Sequence, residues 1–239
     1  MIEIIALIVS FVPPVILYFW LRGLKKEDPE YKKNCRKLLI GGVLCTGLVV
    51  LFSLTMNILW NVAGFDRFGA LAKAAFSDFI LAAMSEELMK FFIARKTIRK
   101  KISEVSYSDC IAFVAIVGIG FGLAESLVYF FSTNWIQILV RGLFIMHASF
   151  GMLMGRFIAR NLQTGRRSYM AAAIILPWFL HGMYDFSLAD EFGALNDNLV
   201  FVPFIILLIT VIIGIRSVLK LRKAKKNNEL YEPLVQEIK

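Results

Sequence analysis

Seven apolar runs in the chain are each long enough to cross a membrane as a helix. A helix needs about 20 mostly apolar residues to cross roughly 30 Å of hydrocarbon. Such runs are too long for barrel strands, and a helix satisfies its own backbone hydrogen bonds in lipid. The sequence therefore predicts an all-α, polytopic transmembrane helix bundle of about seven spans. We place the spans at residues 2–21, 38–60, 70–94, 109–131, 137–159, 169–188 and 199–219.

Basic residues occur in alternate loops between these runs. Four segments, 22–37, 95–101, 156–167 and 216–239, hold all of the 27 lysines and arginines except Arg67, Lys73, Lys90 and Arg141. Short loops rich in Lys and Arg stay in the cytoplasm. The alternation predicts an N-terminus outside, a C-terminus in the cytoplasm, one transmembrane domain over residues 1–226 and a polar cytoplasmic tail over 227–239. The basic loops on the cytoplasmic side account for the net charge of +9. We therefore expect the lipid bilayer as a partner and no nucleic acid.

The third to sixth runs contain ionisable residues. Each such side chain costs a few kcal/mol in lipid, so such residues are rare in membrane spans and usually functional. Helical spacing places Glu86 and Glu87 beside Lys90, so that one carboxylate pairs with Lys90 and the other faces a neighbouring helix. His181 and Asp185 are also four residues apart. At 1.5 Å per residue, Glu86 lies about 14 Å above the basic edge of its span. These groups are therefore expected in the middle to outer part of the membrane.

Three kinds of function fit such a cluster. The first is a structural ion-pair network, and the second is the proton pathway of a transporter. The third is a hydrolytic site in which a carboxylate acts as general base on water. Simple structural roles suffice for Asp109 as a helix cap, Lys73 as an interfacial residue and Asp78 as a partner of Lys73 or Arg141. Carboxylates and histidines also bind Zn²⁺, but the chain has no HExxH motif, so spacing alone does not favour a metal.

Four motifs in these spans resemble those of the PrsW family of intramembrane proteases. Glu86-Glu87-Leu88-Met89-Lys90 resembles the family's EExxK, and Phe121-Gly122-Leu123-Ala124-Glu125 is similar to its FxxxE. Arg141 followed by His147 looks like the third element, and His181-Gly182-Met183-Tyr184-Asp185 resembles HxxxD. All four occur in the family's order, within residues of about 70–190. This resemblance marks residues 70–190 as the catalytic core.

The resemblance implies a glutamic-type peptidase related to the type II CAAX prenyl endopeptidases, located as a multi-pass protein in a bacterial plasma membrane. It implies site-1 cleavage of a single-span membrane protein, an anti-sigma factor, near the extracytoplasmic side. Glu86 looks like the base, His147 orients water or substrate, and His181 with Asp185 supports the oxyanion. The implied catalytic residues are Glu86, Glu87, Glu125, His147, His181 and Asp185, and the supporting ones are Lys90, Phe121 and Arg141.

Two alternatives to that assignment concern the cofactor and the class of protein. No cofactor is expected, but PrsW-like proteins are also classed with metallopeptidases, and the alternative is a divalent metal, zinc, at Glu86, Glu125, His147 and His181. The other functions are a CAAX or bacteriocin-processing membrane protease and an ion-coupled membrane transporter. The glutamate at position 125, where the CAAX relatives have histidine, argues against the first of these.

Overall fold

The computed structural model describes residues 2–131, 139–140, 145–193, 195 and 197–234. Most of these residues are helical, and no β-strand is present among them. A π-helix, Phe76–Met84, joins the helices Ala70–Ala75 and Ser85–Lys100, so that residues 70–100 form one continuous helix. The helices are α1 (Ile2–Arg22), α2 (Pro29–Val62), α3 (Ala70–Ala75), α4 (Ser85–Lys100), α5 (Tyr107–Phe130), α6 (Met146–Thr164), α7 (Arg167–Phe186) and α8 (Val202–Lys226).

Within the described part of the chain, seven long helices, with residues 70–100 counted as one, overlap the seven predicted spans, which confirms the all-α prediction. Four of them are long and apolar enough to cross a membrane on those grounds alone: Ile2–Arg22, Pro29–Val62, Tyr107–Phe130 and Leu199–Lys226. Part of the fifth predicted span, 137–159, falls outside the described residues. Arg141, predicted as a supporting residue, lies in that part.

Several helices continue beyond the predicted span boundaries at their basic ends. α2 begins at Pro29 rather than residue 38, because the Asp28 carboxylate caps it by accepting a hydrogen bond from the Tyr31 N–H. α8 likewise continues to Lys226 rather than ending at 219. Helical hydrogen bonds persist in water as well as in lipid, so a helix does not have to end where its apolar run ends.

α5 lies at the centre of the bundle. In its most apolar window 72% of the residues are buried, against 22–28% in the other three spanning helices. α2 and α6 approach it closely through glycines. A Cβ at Gly42 would lie 2.2 Å from the Val117 carbonyl oxygen, and one at Gly118 would lie 2.2 Å from the His147 carbonyl oxygen. Small residues at such contacts let membrane helices pack backbone to backbone.

The basic segments meet at one end of the bundle. The Lys25 ammonium group, between α1 and α2, lies 2.8 Å from Asp109 Oδ2 at the start of α5. Asp109 also caps α5 with Ser106, which confirms the capping role predicted for it. The described part of the tail packs here too, because the Leu234 N–H donates to the Val105 carbonyl at 2.9 Å. This end of the bundle is called the basic end below.

Candidate active site

A lysine lies at the centre of the predicted site. The Lys90 ammonium group is 2.9 Å from Glu87 Oε1 and 3.3 Å from Glu86 Oε2, and the lysine is fully buried. It also lies 4.1 Å from the centroid of the Phe121 ring, in cation–π geometry. The spacing predicts a pair between Lys90 and one carboxylate, with the other facing a neighbouring helix, and in the structure the ammonium group reaches both carboxylates.

The π-helix directly before Glu86 is held by side chains of neighbouring helices. The Trp178 indole N–H donates to the Phe79 carbonyl at 2.6 Å, and the Ser53 hydroxyl donates to the Leu81 carbonyl at 3.1 Å. Irregular backbone is tolerated at membrane depth only where such partners satisfy it. The π-helix therefore lies between α2 and α7 and fixes the position of the first turn of α4. No sequence signal marked this segment, which was predicted as regular helix.

His147 connects Lys90 to Glu125. Its Nε2 lies 2.6 Å from Glu125 Oε2, and its Nδ1 lies 2.9 Å from the Lys90 ammonium nitrogen. An ammonium group can only donate, so Nδ1 accepts and Nε2–H donates to the carboxylate. The glycines of α5 make this possible, since a Cβ at Gly122 would lie 3.0 Å from His147 Cδ2.

His181 closes the cluster from α7. Its Nδ1 lies 3.0 Å from Glu87 Oε1, and its Nε2 lies 3.2 Å from Asp185 Oδ2, the partner expected from their spacing. The Phe150 ring stacks on the imidazole at 5.4 Å. The Glu87 carboxylate therefore contacts both the Lys90 ammonium group, on its own helix, and the His181 imidazole, on α7.

Glu86 lies between the two imidazoles. Its Oε2 is 3.9 Å from His147 Nδ1 and 3.8 Å from His181 Nε2. These separations are too long for direct hydrogen bonds and are of the kind that water bridges. Glu86 keeps a small exposed fraction of 5%, whereas Glu87 has none. Of the two neighbouring glutamates, Glu86 is thus the one that water can reach.

The cluster has an excess of negative charge among the described residues. Four carboxylates, of Glu86, Glu87, Glu125 and Asp185, meet one ammonium group and two imidazoles. Acids would outnumber cations even with both imidazoles protonated. One buried atom here, Glu87 Oε2, has no hydrogen-bond partner in the described chain. An unpaired buried polar atom is costly, and a cation bound beside it would relieve that cost.

The donor atoms that lie close enough to hold a metal ion belong to Glu86, Glu87, His147 and His181, all within 4.8 Å of one another. The set named from sequence had Glu125 in place of Glu87. The difference arises because Glu125 is bound to the other ring nitrogen of His147. In metal sites a carboxylate at that place orients the imidazole instead of binding the ion.

A strained residue precedes α6 and was not identified from the sequence. Ile145 has a left-handed backbone, φ 49° and ψ 39°, which is rare for a β-branched side chain. It lies two residues before His147 and packs against the core. Backbone strain of this kind persists where the surroundings impose it, commonly at active sites.

The chain is similar to known proteins over most of its length. The model of a family described as "PrsW family intramembrane metalloprotease" matches residues 34–213. Protease PrsW of Clostridioides difficile is 26% identical over 196 residues, which cover 77% of this chain and 79% of that protein. Protease PrsW of Geobacillus kaustophilus is 32% identical over 124 residues, 50% of this chain and 55% of that protein.

A third relative, protease PrsW of Bacillus subtilis, is 27% identical over 118 residues, and the matched part spans about half of that protein, 54%. No solved structure matches the chain. The family model covers well over half of the chain, and the catalytic residues expected from the motifs meet in one buried cluster. The chain belongs to the PrsW family of intramembrane proteases.

Proposed function

We propose that this peptidase uses the Glu86 centre to hydrolyse a peptide bond of a membrane-anchored regulatory protein. The observation that carries the proposal is the location of Glu86 Oε2, 3.8 Å and 3.9 Å from the ring nitrogens of His181 and His147. A carboxylate facing two imidazoles inside a membrane has the groups needed to bind and deprotonate a water molecule.

In this mechanism Glu86 Oε2 accepts a proton from the bridging water and later delivers it to the leaving amine. Lys90 holds the Glu86 carboxylate in place, and His147 orients the water while Glu125 fixes its tautomer. His181, held at Nδ1 by Glu87, directs Nε2 towards the Glu86 carboxylate. A protonated Nε2 there donates a hydrogen bond to the oxyanion that develops on the scissile carbonyl, with Asp185 alongside.

The family's description names a metal, and the residues present fit one. Glu87, one of the four clustered donors, contributes a buried oxygen that has no hydrogen-bond partner among the described residues. Glu87, His147 and His181 would hold the ion, and Glu86 would remain the proton acceptor. A bound divalent ion would supply a Lewis acid that polarises water and the scissile carbonyl. The Lys90 ammonium group would then have to shift, since it lies 2.9 Å from both Glu87 and His147.

We further propose that the basic end faces the cytoplasm, with the N-terminus outside, in a bacterial plasma membrane. The basic segments lie together at this end, as the positive-inside rule requires of cytoplasmic loops. Glu86 lies nine residues from Arg95, about 14 Å along a helix. A substrate with a single span would be cut beyond that depth, towards the extracytoplasmic side. An anti-sigma factor cleaved at site 1 is such a substrate.

The test is cleavage of a tagged single-span anti-sigma factor by the full chain in liposomes. Glu86→Gln keeps the shape of the side chain and removes the base, so the rate should fall by about 10²–10⁴-fold. Glu104→Gln, the same change at an exposed glutamate paired only with Lys101, is the matched control and should leave the rate unchanged. Full activity of Glu86→Gln would exclude the mechanism.

The metal proposal has a separate readout that needs no activity. Elemental analysis of the purified chain should give one divalent ion per molecule in the wild type and in Glu104→Gln. His181→Ala should abolish binding. A wild-type chain that cuts its substrate after exhaustive chelation, with no ion bound, would exclude the metal.

A further inference from the structure

An apolar groove of about 530 Å³ opens to the lipid between α1, α6 and α8. Leu17 forms one wall, and Ile145, Ser149 and Met152 of α6 form another. On α8 the lining side chains extend from Val211 to Arg222. This region is called the α1/α8 groove below. It is separate from the carboxylate cluster and is used by none of the catalytic steps above.

The groove and the cavity beside the active site share a wall residue, Ile145. The same residue lines a cavity of about 20 Å³ together with Pro14, Glu125 and His147. A space of that size holds about one water molecule. The strained Ile145 is therefore the wall between an opening to the lipid and a water-sized space beside two catalytic side chains.

The dimensions of the groove match half of a membrane-spanning helix. The α8 lining extends from Val211 to Arg222, which is eleven residue steps and a rise of about 16 Å. That is close to half of the roughly 30 Å hydrocarbon thickness. Along α6 the lining leads from Ile145, beside the site, to Met152, towards the basic end. A helix bound here would occupy the half of the membrane that is nearer the basic end. The residues that continue from this helix would reach the active site.

The middle of the groove has the small residues that membrane helices use to pack against one another. A Cβ added at Gly214 would lie 2.9 Å from the Ser149 hydroxyl oxygen. Gly214 and Ser149 therefore pack α8 closely against α6, as small residues do between membrane helices, and they form the floor of the groove. The guanidinium of Arg222, at the basic end of the groove, can bind an acidic residue that follows an apolar span.

We propose that the α1/α8 groove binds the basic-end half of the substrate's transmembrane helix, and that Ile145 separates this docking site from the place of cleavage. The proposal rests on the proposed function, since it names where that substrate binds. The occupant is a helical apolar segment of about eleven residues with an acidic residue at its basic end. Peptide beyond the segment passes Ile145 in extended form to reach Glu86.

The binding experiment does not depend on catalysis. A photoreactive residue replaces Ile215 in the groove or, as the control, Leu44 on the lipid-facing side of α2. The probe is a synthetic 21-residue Ala/Leu span ending in two aspartates, added to liposomes that contain the Glu86→Gln chain. We expect saturable crosslinking to the probe at 215 and not at 44. Equal crosslinking at both places, or adducts with lipid alone at 215, would overturn the proposal.

The kinetic experiment separates docking from chemistry. Gly214→Phe fills the groove, whereas Gly47→Phe, at an α2 glycine with nothing within 4 Å, makes the same change on a lipid-facing surface. In the Gly214→Phe chain, KM for a single-span substrate should rise about tenfold or more while kcat is kept. Cleavage of a short soluble peptide with the same scissile sequence should be unchanged.

The two proposals fail in different ways. If the wild type cuts neither substrate but crosslinks at 215, the proposed function fails and the groove remains a binding site for helices. If Gly214→Phe lowers cleavage of both substrates equally, or leaves both unchanged, the groove is not a docking site although the chain is a protease.

Discussion

Two buried lysines in this molecule have carboxylate partners, one at the basic end and one in the middle of the bundle. At the basic end, Lys25 meets a single carboxylate, that of Asp109, at 2.8 Å. The same oxygen, Asp109 Oδ2, also accepts a hydrogen bond from the Ser106 N–H at 2.9 Å. In the middle, Lys90 meets Glu86 and Glu87 at once, in a cluster that also contains Glu125 and Asp185.

The two sites differ in charge balance rather than in burial. The basic-end pair is neutral as a whole and connects two loops and a helix cap, so its role in the fold is a sufficient explanation. Among the residues that the structure describes, the Lys90 cluster has more acids than cations, and it contains a buried atom without a hydrogen-bond partner, Glu87 Oε2. An arrangement that costs stability persists where it serves function. Removing charges one at a time at both sites tests this distinction.

The largest expected effect is that of Lys90→Met. It removes the one ammonium group of the cluster and leaves Glu86 and Glu87 buried without it, which should lower the free energy of unfolding by about 3–5 kcal/mol. Unfolding in detergent, followed by circular dichroism, measures the loss. Lys96→Met, an exposed lysine on the same helix, is the control and should change little. A Lys90→Met chain as stable as the control would show that the carboxylates are protonated or otherwise neutralised.

The next effect is that of Gly118→Ala. The added Cβ would lie 2.2 Å from the His147 carbonyl oxygen, so α6 must move away from α5 and carry His147 with it. Overpacking of this kind costs about 1–3 kcal/mol, and the displacement of His147 should also lower peptidase activity. Gly47→Ala serves as the control, because nothing lies within 4 Å of a Cβ there. Unchanged stability and activity would mean that the α5–α6 contact is looser than the structure has it.

The sequence predicts which residues share a helix face, but it does not predict contacts between helices. The pairings of Glu86 with Lys90 and of His181 with Asp185 follow from a spacing of four, and both are present. The 2.9 Å contact between Lys90 and His147 joins residues 57 positions apart. It depends on the register between α4 and α6, which periodicity within one helix does not contain.

The same limit explains the other differences between sequence and structure. The π-helix before Glu86 is stabilised by Trp178 and Ser53, which lie on other helices. Hydropathy marks where a helix leaves the hydrocarbon, but the Asp28 cap decides where α2 begins. The position of Arg141 was predicted from a motif and lies outside the described residues, so its supporting role stays a prediction.

A smaller effect, confined to activity, is expected for Glu125→Gln. The amide oxygen still accepts the hydrogen bond from His147 Nε2, but it no longer carries the charge that strengthens that bond. Changes at such orienting carboxylates typically reduce activity by about 10–100-fold. The fold should be retained, as judged by unfolding in detergent, with Glu104→Gln as the control. A loss as complete as that of Glu86→Gln would assign Glu125 a direct part in proton transfer.

The smallest effect is expected when both members of the basic-end pair are replaced. Lys25→Met alone leaves the Asp109 carboxylate buried without its cation, so it should be clearly destabilising. Adding Asp109→Leu removes the stranded charge, and the remaining cost is that of the helix cap shared with Ser106, about 0.5–2 kcal/mol. Peptidase activity of the double variant should equal that of the wild type, because neither residue contacts the Lys90 cluster. No matching second substitution exists for Lys90→Met, since two carboxylates, those of Glu86 and Glu87, contact this one ammonium group. If the double variant proved inactive while folded, the basic-end pair would be coupled to catalysis, and charge balance would not distinguish the two sites.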